Sequence, residues 1–223
     1  MPATSPITLY GLSTPETVLL KLIFQASLKD DWRIILQDLP SFARDGGDFK
    51  SDGWFKAVEH KVKLGYNAIQ ENQGRLIIIS DIDICFYRPC TSILLSAIED
   101  NDVAFQSEFW PSTGEVNTGF RIIRCNKQTL RFWGILASFT FGDDITEQSV
   151  TNELLRSGEA AIRWSVLPNS IYAASQGSPP SDMALHHANC TVGPDSIQQK
   201  LSQFVEVRDM LRCRAVREKG EVI

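Results

Sequence analysis

Leu76-Ile77-Ile78-Ile79-Ser80-Asp81-Ile82-Asp83-Ile84 is the stretch on which the reading of this chain turns. A run of branched apolar residues stops at two carboxylates two positions apart. The run is too short to span a bilayer and rich in β-branched residues, so it predicts a buried strand. Asp81 and Asp83 then stand at its carboxyl end, where open α/β sheets bind ligands. In extended chain, residues i and i+2 project to the same side, so both carboxylates can face one cation. Two unpaired anions side by side are costly to bury. A metal ion or another bound cation is their natural partner.

Upstream, residues 7–10 read as a short strand. The turn Gly11-Leu12-Ser13-Thr14-Pro15 leads into a helix to about residue 28, with Thr14 as N-cap and Pro15 at the first helical position. Apolar residues on most faces of that helix predict that it packs inside. Residues 32–36 read as a second strand, and this spacing predicts a βαβ unit in a parallel sheet. Residues 43–52 read as a polar, mobile loop, and 53–71 as a helix closed by Asn72-Gln73-Gly74. Downstream, Thr91 is expected to cap a helix to about residue 99. Strands are expected over 102–106, 119–125 and 162–167, and helices over 130–139 and 146–157. Residues 109–115 read as a loop. The segment 197–218 alternates charge with apolar residues at helical spacing and is expected to wrap the domain.

The 223 residues are 43% hydrophobic and 22% charged, which suits one sizeable α/β domain or at most two small ones. The net charge is −5 and no Lys/Arg cluster is present, which argues against a nucleic-acid partner. There is no apolar run of transmembrane length. Residues 1–6 lack the basic-then-apolar pattern of a signal peptide. Cys85, Cys90, Cys125, Cys190 and Cys213 form no CxxC pair, so zinc and redox motifs are not expected. The odd, scattered set fits reduced thiols in the cytoplasm.

Asp-x-Asp after a strand has three readings: two solvated loop carboxylates, the nucleophile and acid of a haloacid-dehalogenase-type phosphatase, or the metal-holding motif of a nucleotide-sugar transferase. Gly142-Asp143-Asp144 imitates the phosphatases' later acidic motif. That family, however, has Thr or Val two residues after the second Asp, where this chain has Cys85. Its motif also tends to open the domain, whereas two βα units precede it here. Three further segments favour the transferase. Glu115-Val116-Asn117-Thr118-Gly119-Phe120-Arg121 resembles the Asn-[Thr/Ala]-Gly-apolar strand of GT-A-fold glycosyltransferases. Thr146-Glu147-Gln148 resembles their Asp-Gln helix start, with Glu147 in place of Asp. Leu185-His186-His187-Ala188-Asn189, followed by Gly193 and Lys200, resembles their late His…Gly…Lys segment. The ordered set, over roughly residues 8–204, resembles the nucleotide-diphospho-sugar transferase family.

The resemblance implies one GT-A-like α/β domain over 1–223, with a mostly parallel twisted sheet flanked by helices. Its nucleotide-binding half would be about residues 7–106 and its acceptor half about 107–205. It implies metal-dependent transfer of a sugar from a nucleoside-diphosphate sugar, with a UDP-sugar favoured, to a hydroxyl of a glycan or another acceptor, with retention. Asp81, Asp83 and His187 would hold Mn²⁺ or Mg²⁺. An oxygen-bound divalent cation neutralises a departing diphosphate, and imidazole beside carboxylates suits Mn²⁺ in ligand type. Tyr10, Gly11, Leu12, Lys61, Asp81, Ile82, Asn117 and Lys200 would contact the donor. Gln148, Glu147 and Asp144 would be the catalytic groups.

Taken one at a time, these residues have plainer readings. Tyr10 is a core aromatic or a base-stacking one. Lys61 reads as a solvated helix-face residue, Asn117 as a turn residue and His187 as a loop histidine bonded to backbone. His186 reads as structural. Gln106 and Glu108 read as donor-sugar contacts or as ordinary polar rim. Trp110 offers a stacking surface for an acceptor ring. The non-enzyme alternative is a sugar-nucleotide-binding module.

Overall fold

The computed structural model describes residues 6–42, 50–159 and 161–218. Of the expected loop over 43–52, residues 43–49 lie outside the described residues. In chain order the elements are β1 (Thr8–Ser13), α1 (Val18–Ser27), β2 (Arg33–Asp38), α2 (Asp52–Glu71), β3 (Leu76–Ser80), β4 (Ile84–Phe86), α3 (Thr91–Ile98), β5 (Val103–Ser107), β6 (Val116–Arg124), α4 (Lys127–Leu136), α5 (Glu147–Ser157), β7 (Trp164–Val166), β8 (Ile171–Ala173), β9 (Leu185–His187) and α6 (Ser196–Glu218).

Six strands form the main sheet in the order β2-β1-β3-β6-β5-β7. β1 is parallel to β2 and to β3, and β5 is parallel to β7. β6 is antiparallel to both of its neighbours, β3 and β5. Five strands therefore run one way and β6 alone runs back, which is the expected mostly parallel sheet. The chain leaves β1 for β2 on one side and returns to β3 on the other. A crevice opens at such a switch, outside the carboxyl ends of the strands.

The unbroken apolar run of β3 follows from burial on both faces. Ile77 and Ile79 enter a core with Val62, Phe132 and Trp133 beneath α2, α4 and α5. Ile78 points the other way, into a core with Phe24, Leu94 and Phe204 beneath α1, α3 and α6. Ile123 and Ile122 of β6 divide in the same way. Deleting such a side chain to Ala costs about 2–5 kcal/mol.

Local signals hold at most helix ends. Thr146 accepts a bond from Ser149 N and heads α5, and Gly158 closes it at φ 70°. Ser51 caps α2 through Trp54 N. Three expectations need correction. The chain between Thr14 and α1 first makes a short 3₁₀ turn, Pro15–Thr17. α1 does not pack inside on most faces: Val18, Leu19 and Leu22 are exposed, and only Leu20 and Phe24 are buried. Thr91 is not the cap of α3 but its first residue. The free N–H groups of Cys90 and Thr91 are instead taken by the Asp30 carboxylate, at 2.8 and 3.1 Å, a long-range contact that local pattern does not encode.

A second, three-stranded sheet, β4-β9-β8, has no counterpart in the sequence reading. β4 pairs antiparallel with β9, placing Ile84 opposite His187.

Candidate active site

Asp81 and Asp83 follow β3 directly. The N–H of Asp81 donates to Gly119 O at 2.6 Å, so the turn after β3 is tied to β6. The Asp83 carbonyl accepts from Ala188 N at 2.9 Å, which ties it to the end of β9. These two backbone bonds and the β4–β9 register bring His187 to the aspartates. His187 is therefore a buried strand residue, not a loop residue bonded to backbone.

The ring is oriented by Gln106 of β5. Gln106 gives its amide hydrogen to Ile171 O at 3.1 Å, so its Oε1 accepts from His187 Nδ1 at 2.8 Å. Nδ1 then carries the proton, and the lone pair of Nε2 faces the carboxylates. Nε2 lies 3.4 Å from Asp83 Oδ1 and 4.0 Å from Asp81 Oδ2. Gly119 makes room for the ring.

Each aspartate gives its other oxygen to a lysine. Lys200 donates to Asp83 Oδ2 at 2.6 Å and to Ala188 O at 2.8 Å. Lys61 donates to Asp81 Oδ1 at 2.9 Å. Burial favours the neutral acid at Asp83, but the Lys200 ammonium on its Oδ2 outweighs burial and holds the carboxyl far below the usual range. Asp83 Oδ1 is buried and receives no hydrogen bond. A donorless carboxylate oxygen set against an imidazole lone pair is unfavourable until a cation sits between them. One ligand atom each from Asp81, Asp83 and His187 lie within 4.8 Å of one another. The donor set and the orphaned oxygen fit a divalent ion.

Lys61 is not a solvated face residue. It is 7% exposed, and its ammonium also pairs with Glu147 Oε2 at 2.8 Å. Val58, Val62 and Gly65 share its buried stripe on α2, a helical spacing visible in the sequence. Glu147 Oε1 accepts from Arg121 at 2.6 Å, and Arg121 is fully buried beside the Trp133 ring. Burial would raise the Glu147 carboxyl, but Arg121 and Lys61 outweigh it and lower it. Both Glu147 oxygens thus face cations inside the protein. Arg121 was not singled out in the sequence, although an arginine between Phe120 and Ile122-Ile123 in a buried strand signals an internal counter-ion.

A cavity of about 490 Å³ extends from the end of β1 to the segment after β9. Leu12, Lys61, Asp81, Ile82, Asp83, Asn117, Glu147, Gln148, His187 and Lys200 all line it. Tyr10, Gly11 and Asp144 do not. Tyr10 is buried in the core, its hydroxyl taking a bond from Asn72 at 2.8 Å. Gly11 serves packing: a Cβ there would lie 2.9 Å from Ser80 O. Asp144 is exposed in the turn joining Gly142 to Ile145. Asn117 is not in a turn but in β6. It donates to Glu108 Oε2 at 2.6 Å and accepts from Gly119 N at 2.8 Å. Gln148 donates to the same Glu108 oxygen at 3.1 Å. His186 points away from the cluster, packed against the rings of Tyr172 and Phe204.

The sequence model of the nucleotide-diphospho-sugar transferase family matches residues 24–204. Among curated proteins, none is similar enough in sequence to match. The fold is similar to that of a glycosyltransferase involved in the glycosylation of the major capsid of PBCV-1, with TM-score 0.61 at 13% identity, covering 87% of this chain and 98% of that one. It is also similar to mouse xyloside xylosyltransferase 1, with TM-score 0.53 at 9% identity, covering 83% and 98%. The glycosyltransferase GlyE of Streptococcus pneumoniae aligns with TM-score 0.51 at 13% identity, over 76% of this chain and 46% of that one. A GT-A fold with Asp81 and Asp83 at the switch of its sheet, and a family match over most of the chain, make this protein a glycosyltransferase of the nucleotide-diphospho-sugar transferase family.

Proposed function

We propose that the protein moves a sugar from a nucleoside-diphosphate sugar, a UDP-sugar in the first instance, to a hydroxyl of a glycan, with Mn²⁺ or Mg²⁺ held by Asp81, Asp83 and His187. The observation that carries the metal is Asp83 Oδ1, buried and without a donor, facing His187 Nε2 at 3.4 Å. When bound, a divalent ion offsets the charge that develops on the leaving diphosphate. The protein supplies the rest. Gln106 holds the His187 tautomer. Lys61 and Lys200 fix one oxygen of each aspartate and leave the other directed inward. Lys200, released from Asp83 by a cation, is placed to meet a phosphate. Leu12 at the end of β1 and Ile82 line the cavity where a nucleoside would lie.

Retention is part of the proposal and is supported by Gln148, whose amide lines the cavity between Glu108 and Thr118 N, at 3.1 and 3.4 Å. A cytoplasmic location is supported by the five free cysteines, two of them buried. Among the described residues no helix is long and apolar enough to cross a membrane.

The test is a thermal-shift and product assay with nucleoside diphosphates and their sugars, with and without Mn²⁺. Saturation at a hundred times the dissociation constant adds about 2.7 kcal/mol of apparent stability. Asp83→Asn should abolish the Mn²⁺-dependent part and leave the protein folded. An Asp83→Asn protein that binds UDP and Mn²⁺ like the wild type would remove the metal role. NMR of the first-formed product decides the stereochemistry.

A further inference from the structure

We propose that Trp54 is the platform on which the base of the donor nucleotide stacks, an assignment that rests on the transferase reading above. Tyr10, the aromatic that the sequence offers for this role, is unavailable: its ring lies in the core and its hydroxyl is bonded to Asn72. Among the described residues, Phe42 and Trp54 are the aromatic side chains that line the cavity, apart from the imidazole of His187. Phe42 already has a ring stacked on it, because His60 lies 5.3 Å away at an interplanar angle of 14°. Trp54 is half-buried and anchored to the core, with the Phe55 ring 5.1 Å away and turned by 74°. The indole is therefore held in place by the core while it borders the cavity.

Its distance from the aspartates follows from α2. Trp54, Ala57, Val58 and Lys61 recur at helical spacing on one face of that helix, and all four line the cavity. Lys61 marks the metal end through its bond to Asp81 at 2.9 Å. Trp54 stands seven residues earlier, two turns away, or about 10.5 Å along the helix axis. A nucleoside diphosphate with its phosphates at the aspartates extends its ribose and base over such a span. Between the two, Ala57 carries only a methyl group, which leaves that face of the helix low enough for a ribose to cross. Leu12 and Leu20 add apolar wall at the β1 side of the cavity. A base buries its flat faces and keeps its polar edge for hydrogen bonds, and a broad, rigid indole matches such a face. Stacking of this kind is sequence-tolerant, since every base has a π-face, and its loss weakens binding about 5- to 150-fold.

Binding alone tests this. UDP, GDP, ADP and CDP are titrated with Mn²⁺ into wild type, Trp54→Ala and Trp54→Phe, beside pyrophosphate, which has the phosphates and no base. Calorimetry and intrinsic fluorescence are the readouts. Trp54→Ala should bind the preferred nucleotide about 5- to 150-fold more weakly and pyrophosphate as wild type does. Of the five tryptophans, Trp54 is the one that lines the cavity among the described residues. The nucleotide should therefore quench the fluorescence of wild type, and the quenching should vanish in Trp54→Phe, which keeps an aromatic ring and still binds. Wild-type nucleotide affinity in Trp54→Ala overturns the assignment, and so does an equal loss for pyrophosphate. If Trp54→Ala does not fold, quenching that persists in Trp54→Phe overturns it just as well. A wild type that binds a nucleotide without any quenching overturns this assignment alone. A wild type that binds none of the four with Mn²⁺ overturns the transferase reading, and this assignment with it.

Discussion

Gly119 and His187 are in such close contact that a Cβ at position 119 would lie 2.2 Å from His187 Cε1 and 2.9 Å from its Nε2. The glycine thus shapes the candidate metal site without offering a ligand. Its backbone carbonyl also receives Asp81 N, so one residue sets the distance between imidazole and carboxylates.

Gly119→Ala should therefore weaken Mn²⁺ binding by about 10–100-fold, as for other losses of ligand orientation. The ring cannot stay where it is with a methyl group against it, and moving it disturbs the bond from Nδ1 to Gln106 that orients it. Calorimetric titration of Mn²⁺ checks this. Wild-type affinity in the alanine variant would mean that His187 does not ligate.

The two adjacent histidines should part company. His187→Ala is expected to raise the Mn²⁺ concentration for half-maximal activity several-fold or more, because Nε2 is the nitrogen that faces both aspartates. His186→Ala should leave the Mn²⁺ requirement nearly unchanged and lower the melting temperature, since it removes a ring packed on Tyr172 and Phe204. Equal effects of the two changes on the Mn²⁺ requirement would contradict the assignment.

Acid sensitivity of the metal-free protein should come partly from His186. Burial, then the neighbouring His187, lowers its pKa from 6.5 to about 4. Between those values the unfolded chain binds a proton that the native state refuses. Stability is therefore lost as pH falls from 6.5 towards 4, by about 3 kcal/mol in all. His186→Leu should flatten this part of the denaturation profile measured in urea. An unchanged slope would show that the ring takes up its proton without unfolding.

Glu147 should matter for stability more than any exposed carboxylate. Glu147→Leu leaves Arg121 buried without its counter-ion and should cost about 3–5 kcal/mol. Because its folded pKa is lowered, its ionic contribution is present above the unfolded value of about 4.3 and is lost as pH falls below it. Glu147→Gln should remove that acid-side component. Chemical denaturation at pH 7 and pH 4 tests both. If Glu147→Gln is as stable as wild type at both values, the ion network is ornamental.

What the sequence by itself determined is local. The apolar run of β3 and its two terminal carboxylates announced a buried strand ending in two carboxylates that can face one cation, because β-branched runs and strand alternation are properties of adjacent residues. The Thr146 cap and the Gly158 stop fixed α5 in the same way. Motif order placed the chain in its family. Only the tertiary structure decided the partners. His187 meets Asp83 through the register of β4 with β9, and its tautomer is held by Gln106 from a different sheet. Lys61, Glu147 and Arg121 form one buried ion network drawn from three elements. Asp30 caps a helix 60 residues away. Such pairings depend on which strands and helices lie side by side, and the free energy that selects them is burial shared among distant segments. Nothing in the spacing of residues along one element records it.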